Sequence, residues 1–157
     1  MIIVLMKTQQ SVLHSAAWLI VQKRKFDHIT PTLRDDLHCL PVSQTIAYKR
    51  CTIVYKCLHQ SVPEYLQELC VPVVYSASRR QLCSAVRTDL QVSATRTVTY
   101  GPWSFAACAP KLCNSLPTTL RHSALTLTQF CSRLKTHMFD LAYRSAFWLF
   151  TLSERTI

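Results

Sequence analysis

Asp35 and Asp36 are adjacent carboxylates, a pairing that can hold two metal ions for phosphoryl transfer. The residues before them, Thr30-Pro31-Thr32-Leu33-Arg34, read as a short helix, and neighbouring helical positions point about 100° apart. The pair is therefore expected to be a solvated helix end and not a metal grip. Zinc needs closely spaced ligand pairs, usually with two to four residues between the cysteines. Cys108 and Cys113 are the nearest pair, on a predicted helix, while Cys51 and Cys57 stand six apart and His38 and Cys39 are adjacent. No second pair answers the first, so the eight cysteines read as buried or incidental thiols. The six histidines have no Cys or Ser partner in a recognisable motif, and a single Gly excludes a Gly-rich phosphate loop. The sequence predicts no catalytic residue, no metal and no cofactor.

What remains is cationic. Lys23-Arg24-Lys25 beside Phe26, Tyr48-Lys49-Arg50 and Tyr55-Lys56 interleave basic side chains with aromatic rings. Cations bind phosphates and exposed rings stack on unpaired bases, so these segments point to RNA or single-stranded DNA, bound without sequence preference. Arg79, Arg80, Arg133 and Lys135 are the other candidates. Against this, Tyr48 and Tyr55 lie seven apart, a helical spacing that suits core packing equally well.

These side chains need positioning elements. Val12, Leu13, Ala16, Ala17, Ile20 and Val21 form one apolar stripe and predict a first helix over Thr8 to Val21. Thr30 as cap and Pro31 at the first helical position open a short helix ending near Leu37. Cys39-Leu40-Pro41 must be extended, because a residue before proline disfavours helix. Ser43 then caps a helix whose inner face is Ile46, Ala47, Arg50, Ile53, Val54, Cys57 and Leu58. Pro63-Glu64 starts another through Leu69. Beyond Cys70 the chain is richer in Val, Thr and Ser. Leu90-Gln91-Val92 and Thr97-Val98-Thr99-Tyr100 predict two short strands, and Ser76 to Arg80 a basic loop. A helix returns over Pro102 to Leu116. The last, Thr126 to Tyr143, carries Leu127, Phe130, Cys131, Leu134, Met138 and Leu141 on one side. The predicted fold is mainly α: several short helices with a small two-stranded β insert near residues 88–101. The predicted segments are a helical subdomain over 8–70, the insert with closing helices over 71–143, and a separate tail over 144–157.

Composition agrees with that picture. One Gly and seven Pro leave few tight hairpins and many helix starts. Net charge is +10, and residues 79–135 hold eight basic side chains against one acid, Asp89, a field that attracts polyanions. Hydrophobic residues make up 49% and charged residues 17%, which leaves self-association through exposed apolar surface open. No signal peptide is visible, the chain is too rich in Leu and Val for a disulfide scaffold, and Ala146 to Phe150 is too short to span a bilayer. The expected location is intracellular, nuclear or cytoplasmic, with reduced thiols and no membrane.

The order of several segments carries further information. Lys23-Arg24-Lys25-Phe26-Asp27-His28-Ile29-Thr30-Pro31 leads through Leu33 to Leu37-His38-Cys39-Leu40-Pro41-Val42. Tyr48-Lys49, Tyr55-Lys56-Cys57-Leu58-His59 and Pro63-Glu64-Tyr65-Leu66 follow. Ala109-Pro110-Lys111-Leu112-Cys113-Asn114-Ser115-Leu116-Pro117 comes next, then Phe130 and Arg133-Leu134-Lys135-Thr136-His137-Met138-Phe139. Over roughly residues 8 to 143 this succession resembles the region after the polymerase in reverse transcriptases of LINE-type non-LTR retrotransposons, the chicken-repeat and jockey-like group. The resemblance implies a mainly helical region beside the template, with the catalytic residues upstream of this fragment. Asp35-Asp36 departs from the family's catalytic pair, which follows an aromatic residue on a tight hairpin. Cys39 and Cys113 stand where the family implies Trp, while Trp18, Trp103 and Cys83 stand where it implies Arg. Those departures imply a copy drifting without selection. The expectation is a non-catalytic remnant with weak nucleic-acid affinity; the alternative is a small protein–protein interaction module or a translated product without an evolved function.

Overall fold

A computed structural model of the chain describes residues 2–22, 24, 27–75, 89–98, 100–121 and 124–153, with residues 2, 3 and 145–153 described by backbone alone. It is mainly helical, as expected. The elements are α1 (Ile2–Val21), α2 (Ile29–Asp35), α3 (Val42–Leu58), α4 (Glu64–Gln67), α5 (Phe105–Asn114), α6 (Thr118–Arg121) and α7 (Leu127–Ser153). Short 3-10 turns lie at Val73–Tyr75 and Gly101–Trp103. The chain forms two compact units, one of Met1–Ile46 with Lys135–Ile157 and one of Ala47–Leu134, a division different from the sequence segments 8–70, 71–143 and 144–157.

In the first unit, Ala17 of α1 is buried with Ile29 and Leu33 of α2, and Leu13, Trp18, Leu37 and Cys39 pack around them. The predicted α1 stripe is only half realised: Val12 and Ile20 are 65% and 70% exposed. The inner face runs instead through Gln10, His14 and Trp18. Gln10 explains the rotation, because its Oε1 accepts from the Val42 N–H at 2.9 Å and its amide meets His14 at 2.7 Å. A polar residue with a fixed inward partner turns the helix by about one position. α2 starts at Ile29, not at Pro31, with His28 in the cap position and no side-chain cap bond. Pro31 is tolerated there because the first four N–H groups of a helix lack intrahelical partners. Tyr143 of α7 donates its hydroxyl to the Cys39 carbonyl at 2.7 Å, which ties this helix to the extended segment after α2.

In the second unit, Cys51, Val54 and Cys57 of α3, Ala107, Ala109, Pro110 and Cys113 of α5, and Phe130 and Leu134 of α7 are buried. Here too the predicted inner face of α3 is displaced, since Ile53 and Leu58 are 37% and 45% exposed. Cys51, which lies off that predicted face, is fully buried. α3 starts at Val42 and Ser43 lies inside it. It ends in a Schellman motif: Gln60 is left-handed at φ 54°, the Ser61 N–H donates to the Lys56 carbonyl at 2.9 Å, and the Gln60 N–H to that of Cys57 at 3.2 Å. α7 opens with a capping box, in which the Gln129 N–H donates to Thr126 Oγ1 at 3.3 Å and the Thr126 N–H to Gln129 Oε1 at 3.2 Å.

The two-stranded insert expected near 88–101 is not present among the described residues. Residues 91–98 are exposed and non-helical, and the one β contact there is an isolated antiparallel bridge between Pro72 and Leu90. Residue 88 and Thr99 lie outside the described residues. Two side chains explain the outcome. Asn114 donates to the Leu90 carbonyl and accepts from the Leu90 N–H, both at 2.8 Å, so the first residue of the would-be strand is spent on one amide. On the other side the Gln91 N–H donates to the Val71 carbonyl at 2.8 Å and the Val73 N–H to the Asp89 carbonyl at 2.9 Å. The Gly101 N–H donates to Thr97 Oγ1 at 2.9 Å and folds the other segment back on itself. Gly101 is required there, because a Cβ would lie 2.6 Å from the Cβ of Thr95.

Candidate nucleic-acid interface

On α3, Lys49, Ile53 and Lys56 are spaced four and three residues apart, which places them on one side of the helix. Lys49 and Ile53 are exposed and Lys56 is half-buried, while Arg50 is half-buried on the flank. Arg133 is exposed on α7 within the same unit. In the first unit, Arg24 and Lys135 are both exposed. The Arg24 N–H donates to the Asp27 carboxylate at 3.1 Å in a tight local turn. Lys23, Lys25, Arg79 and Arg80 lie outside the described residues, as does Phe26. The structure therefore gathers Lys49, Arg50, Lys56 and Arg133 into one unit and Arg24 and Lys135 into the other.

Charge divides unevenly between these units. Residues 47–134 hold ten Lys and Arg against three Asp and Glu, a net of +7, and the remaining residues account for +3. Among the described residues the ion pairs are Arg34–Asp35, Arg121–Asp89 and Arg144–Asp140. None involves a predicted contact residue. Arg121 and Asp89 are mostly buried, so the one acid of the basic 79–135 stretch is spent internally. Sequence reasoning missed Arg96 and Lys111, which are exposed in the same unit. The excess of basic residues over 79–135 was the signal that contained them.

The aromatic half of the expectation needs correction. Tyr55 stacks on Phe130 at 4.5 Å and lies 4.1 Å from His59, with its hydroxyl donated to the Leu125 carbonyl. Tyr48 is half-buried, and burial followed by the neighbouring Cys131 thiol pushes its phenol pKa up. Neither ring is free to stack on a base; their seven-residue spacing reflects packing. The exposed rings of the second unit are Tyr65, Tyr75, Tyr100 and Trp103, at 66%, 74%, 64% and 42%. Tyr65 stands on the four-residue α4 and the others in short turns, where no periodicity marked them.

No family model, curated protein or solved structure matches this chain.

The residues weighed for metal and catalytic chemistry occupy other settings. Asp35 closes α2 and its carboxylate is held by the Arg34 guanidinium at 2.7 and 2.9 Å, which lowers its pKa. Asp36 follows as the exposed C-cap. Cys108 is half-buried, its thiol donated to the Trp103 carbonyl at 3.6 Å, whereas Cys113 is buried. Among the described residues, no group of three or more His, Cys, Asp or Glu is arranged to hold a metal ion. Cys51 and Cys113 sit together, as do Cys57 and Cys70, and all four are buried. The Cys51 thiol and then burial hold Cys113 far above the ordinary thiol range, and burial pushes Cys70 up to about 12. Such thiols stay protonated and poorly nucleophilic.

A cavity of about 340 Å³ adjoins them in the second unit, walled by Val54, Tyr55, Leu90, Cys113, Leu120 and Phe130. Its polar edge is Asn114, whose amide is occupied by Leu90, and Arg121, which is paired with Asp89. Among the described residues, no helix is long and apolar enough to cross a membrane.

Proposed function

We propose that the chain is a non-catalytic remnant of a LINE-type reverse transcriptase that binds RNA or single-stranded DNA weakly and without sequence preference. The second unit is the binding surface. The observation that carries this reading is the +7 charge of residues 47–134, where Lys49, Lys56, Arg96, Lys111 and Arg133 stand outside every ion pair among the described residues. Tyr65, Tyr75, Tyr100 and Trp103 add exposed rings to the same unit. Phosphate contact provides affinity and ring stacking tolerates any base, so specificity is not expected.

Salt dependence is the test. The full chain is titrated into fluorescein-labelled single-stranded RNA at several salt concentrations. Five phosphate contacts give a log–log slope near −3.5, each charge contributing about −0.7 on a single strand. Lys49→Glu and Arg133→Glu each reduce the slope by about that amount, whereas Tyr75→Ala weakens binding at constant slope. A flat salt dependence removes the proposal. Its origin has a separate test: the DNA upstream of this reading frame should encode remnants of a polymerase palm, and an unrelated upstream sequence would refute the descent.

A further inference from the structure

Helix α1 has two apolar faces, of which α2 covers one. The other carries Leu5, Val12 and Leu19, which are 58%, 65% and 81% exposed and recur every seven residues. Gln9 and Ala16, also exposed, fall between them, so the seam Leu5–Gln9–Val12–Ala16–Leu19 alternates steps of four and three. That alternation is the repeat of a two-stranded coiled coil. A helix that is apolar on both sides is normally covered on both. The single charge of α1, Lys7, lies roughly 160° around the helix from this seam, at 100° per residue.

We propose that α1 pairs in parallel with α1 of a second copy of this chain through Leu5, Gln9, Val12, Ala16 and Leu19. Two features select a copy of itself over an unrelated helix. The seam has no charge, so two identical seams meet without repulsion despite the +10 of each chain. In a parallel pair Gln9 faces Gln9. An amide is both donor and acceptor, so each satisfies the other, whereas an aliphatic partner would leave it orphaned. A lone polar residue of this kind fixes register and strand number. Ala16 leaves room for close approach near the C-terminal end. Just over two heptads give a weak dimer, with Kd on the order of tens of micromolar.

Sedimentation equilibrium of the full chain reads this directly, with far-UV circular dichroism to confirm that helix is retained. Val12→Glu places a charge in the seam and should weaken dimerisation at least about 100-fold. Val4→Glu is the matched control: Val4 is 64% exposed yet about 100° from the seam, and its dissociation constant should stay within about threefold. Gln9→Leu should tighten association about tenfold or more, an outcome that loss of folding cannot imitate. A wild-type monomer at ~200 μM overturns the proposal. So does equal weakening by Val4→Glu and Val12→Glu, which would mean unspecific apolar adhesion. A monomer that cosediments with phosphatidylcholine vesicles would assign the face to lipid and overturn it as well.

Discussion

Raising the pH should destabilise the second unit through a thiol that carries no chemistry. Cys70 is 4% exposed, and burial, followed by the adjacent Cys57, lifts its pKa from 9.0 to about 12. In the unfolded chain the thiol ionises near 9, while the native state keeps its proton to about 12. The resulting stabilisation is fully present below pH 9 and is lost as pH rises from there to about 12. At 1.36 kcal/mol per unit the ceiling is about 4 kcal/mol, of which about 2 kcal/mol would be gone by pH ~10.5. Water reaching the interior of so small a unit reduces this, and about 1 kcal/mol at pH ~10.5 is the working value. The assay is urea unfolding at pH ~7.5 and ~10.5 with a phosphine reductant, for the wild type and Cys70→Val. Wild type should lose about 1 kcal/mol more than the variant between the two pH values. The shifted Tyr48 and Tyr143 affect both proteins equally, whereas Cys57 loses the Cys70 hydrogen bond that lowers its own pKa, which narrows the gap. Losses equal within about 0.3 kcal/mol would show that Cys70 ionises as freely in the native state as in the unfolded chain, and the reasoning would fail.

Leu134 is fully buried, and Leu134→Ala should cost about 3 kcal/mol in urea unfolding; a cost below about 1 kcal/mol would contradict its place in the core. Gln60→Gly should stabilise by about 0.5–1 kcal/mol, because a non-glycine residue closes α3 at φ 54°. A Tm that falls in that variant would speak against the left-handed cap. Cys113→Trp directs a large ring toward the cavity of about 340 Å³ and should raise stability by about 0.5–2 kcal/mol, a Tm gain of a few degrees. A clear Tm decrease would mean that the space cannot accept the ring.

Helix existence was legible in the sequence and helix faces were not. Of the side assigned inward on α7, Phe130, Leu134 and Met138 are buried, because the apolar period is unbroken through the middle of the helix, whereas Leu127 and Leu141 at its two ends are 38% and 57% exposed. On α1 and α3 the same method selected Val12, Ile20 and Ile53, all exposed. Both helices are apolar on more than one side, so the period does not identify the packed face, and Gln10 and the buried Cys51 decided it through contacts distant in sequence. The β insert failed for a related reason. Strand propensity at Leu90-Gln91-Val92 was genuine, but one side of it pairs with Val71 and Val73 in a single bridge, and the Asn114 side chain takes the Leu90 backbone groups on the other side from 24 residues away. At the candidate interface, net charge located the basic stretch, whereas pairing cations with adjacent rings selected Tyr48 and Tyr55. Adjacency in sequence says little about which ring reaches solvent.

The composition of the second unit's core ties its stability to its charge. Four thiols, Ala107, Ala109 and Pro110 occupy buried positions around Val54, Leu90, Leu116, Leu120, Phe130 and Leu134. Small side chains bury little apolar area at about 25 cal/mol per Å², and a cavity forgoes further contact, so this core is a modest source of stability. The same unit carries +7, whose self-repulsion opposes compactness. A polyanion would relieve that repulsion and bind the folded state at once, raising stability by RT ln(1 + [L]/Kd), or about 2.7 kcal/mol at a hundredfold excess over Kd. On the proposed reading, the charge that would attract nucleic acid would also make the unit's stability depend on it, and the dependence should weaken with salt in parallel with binding.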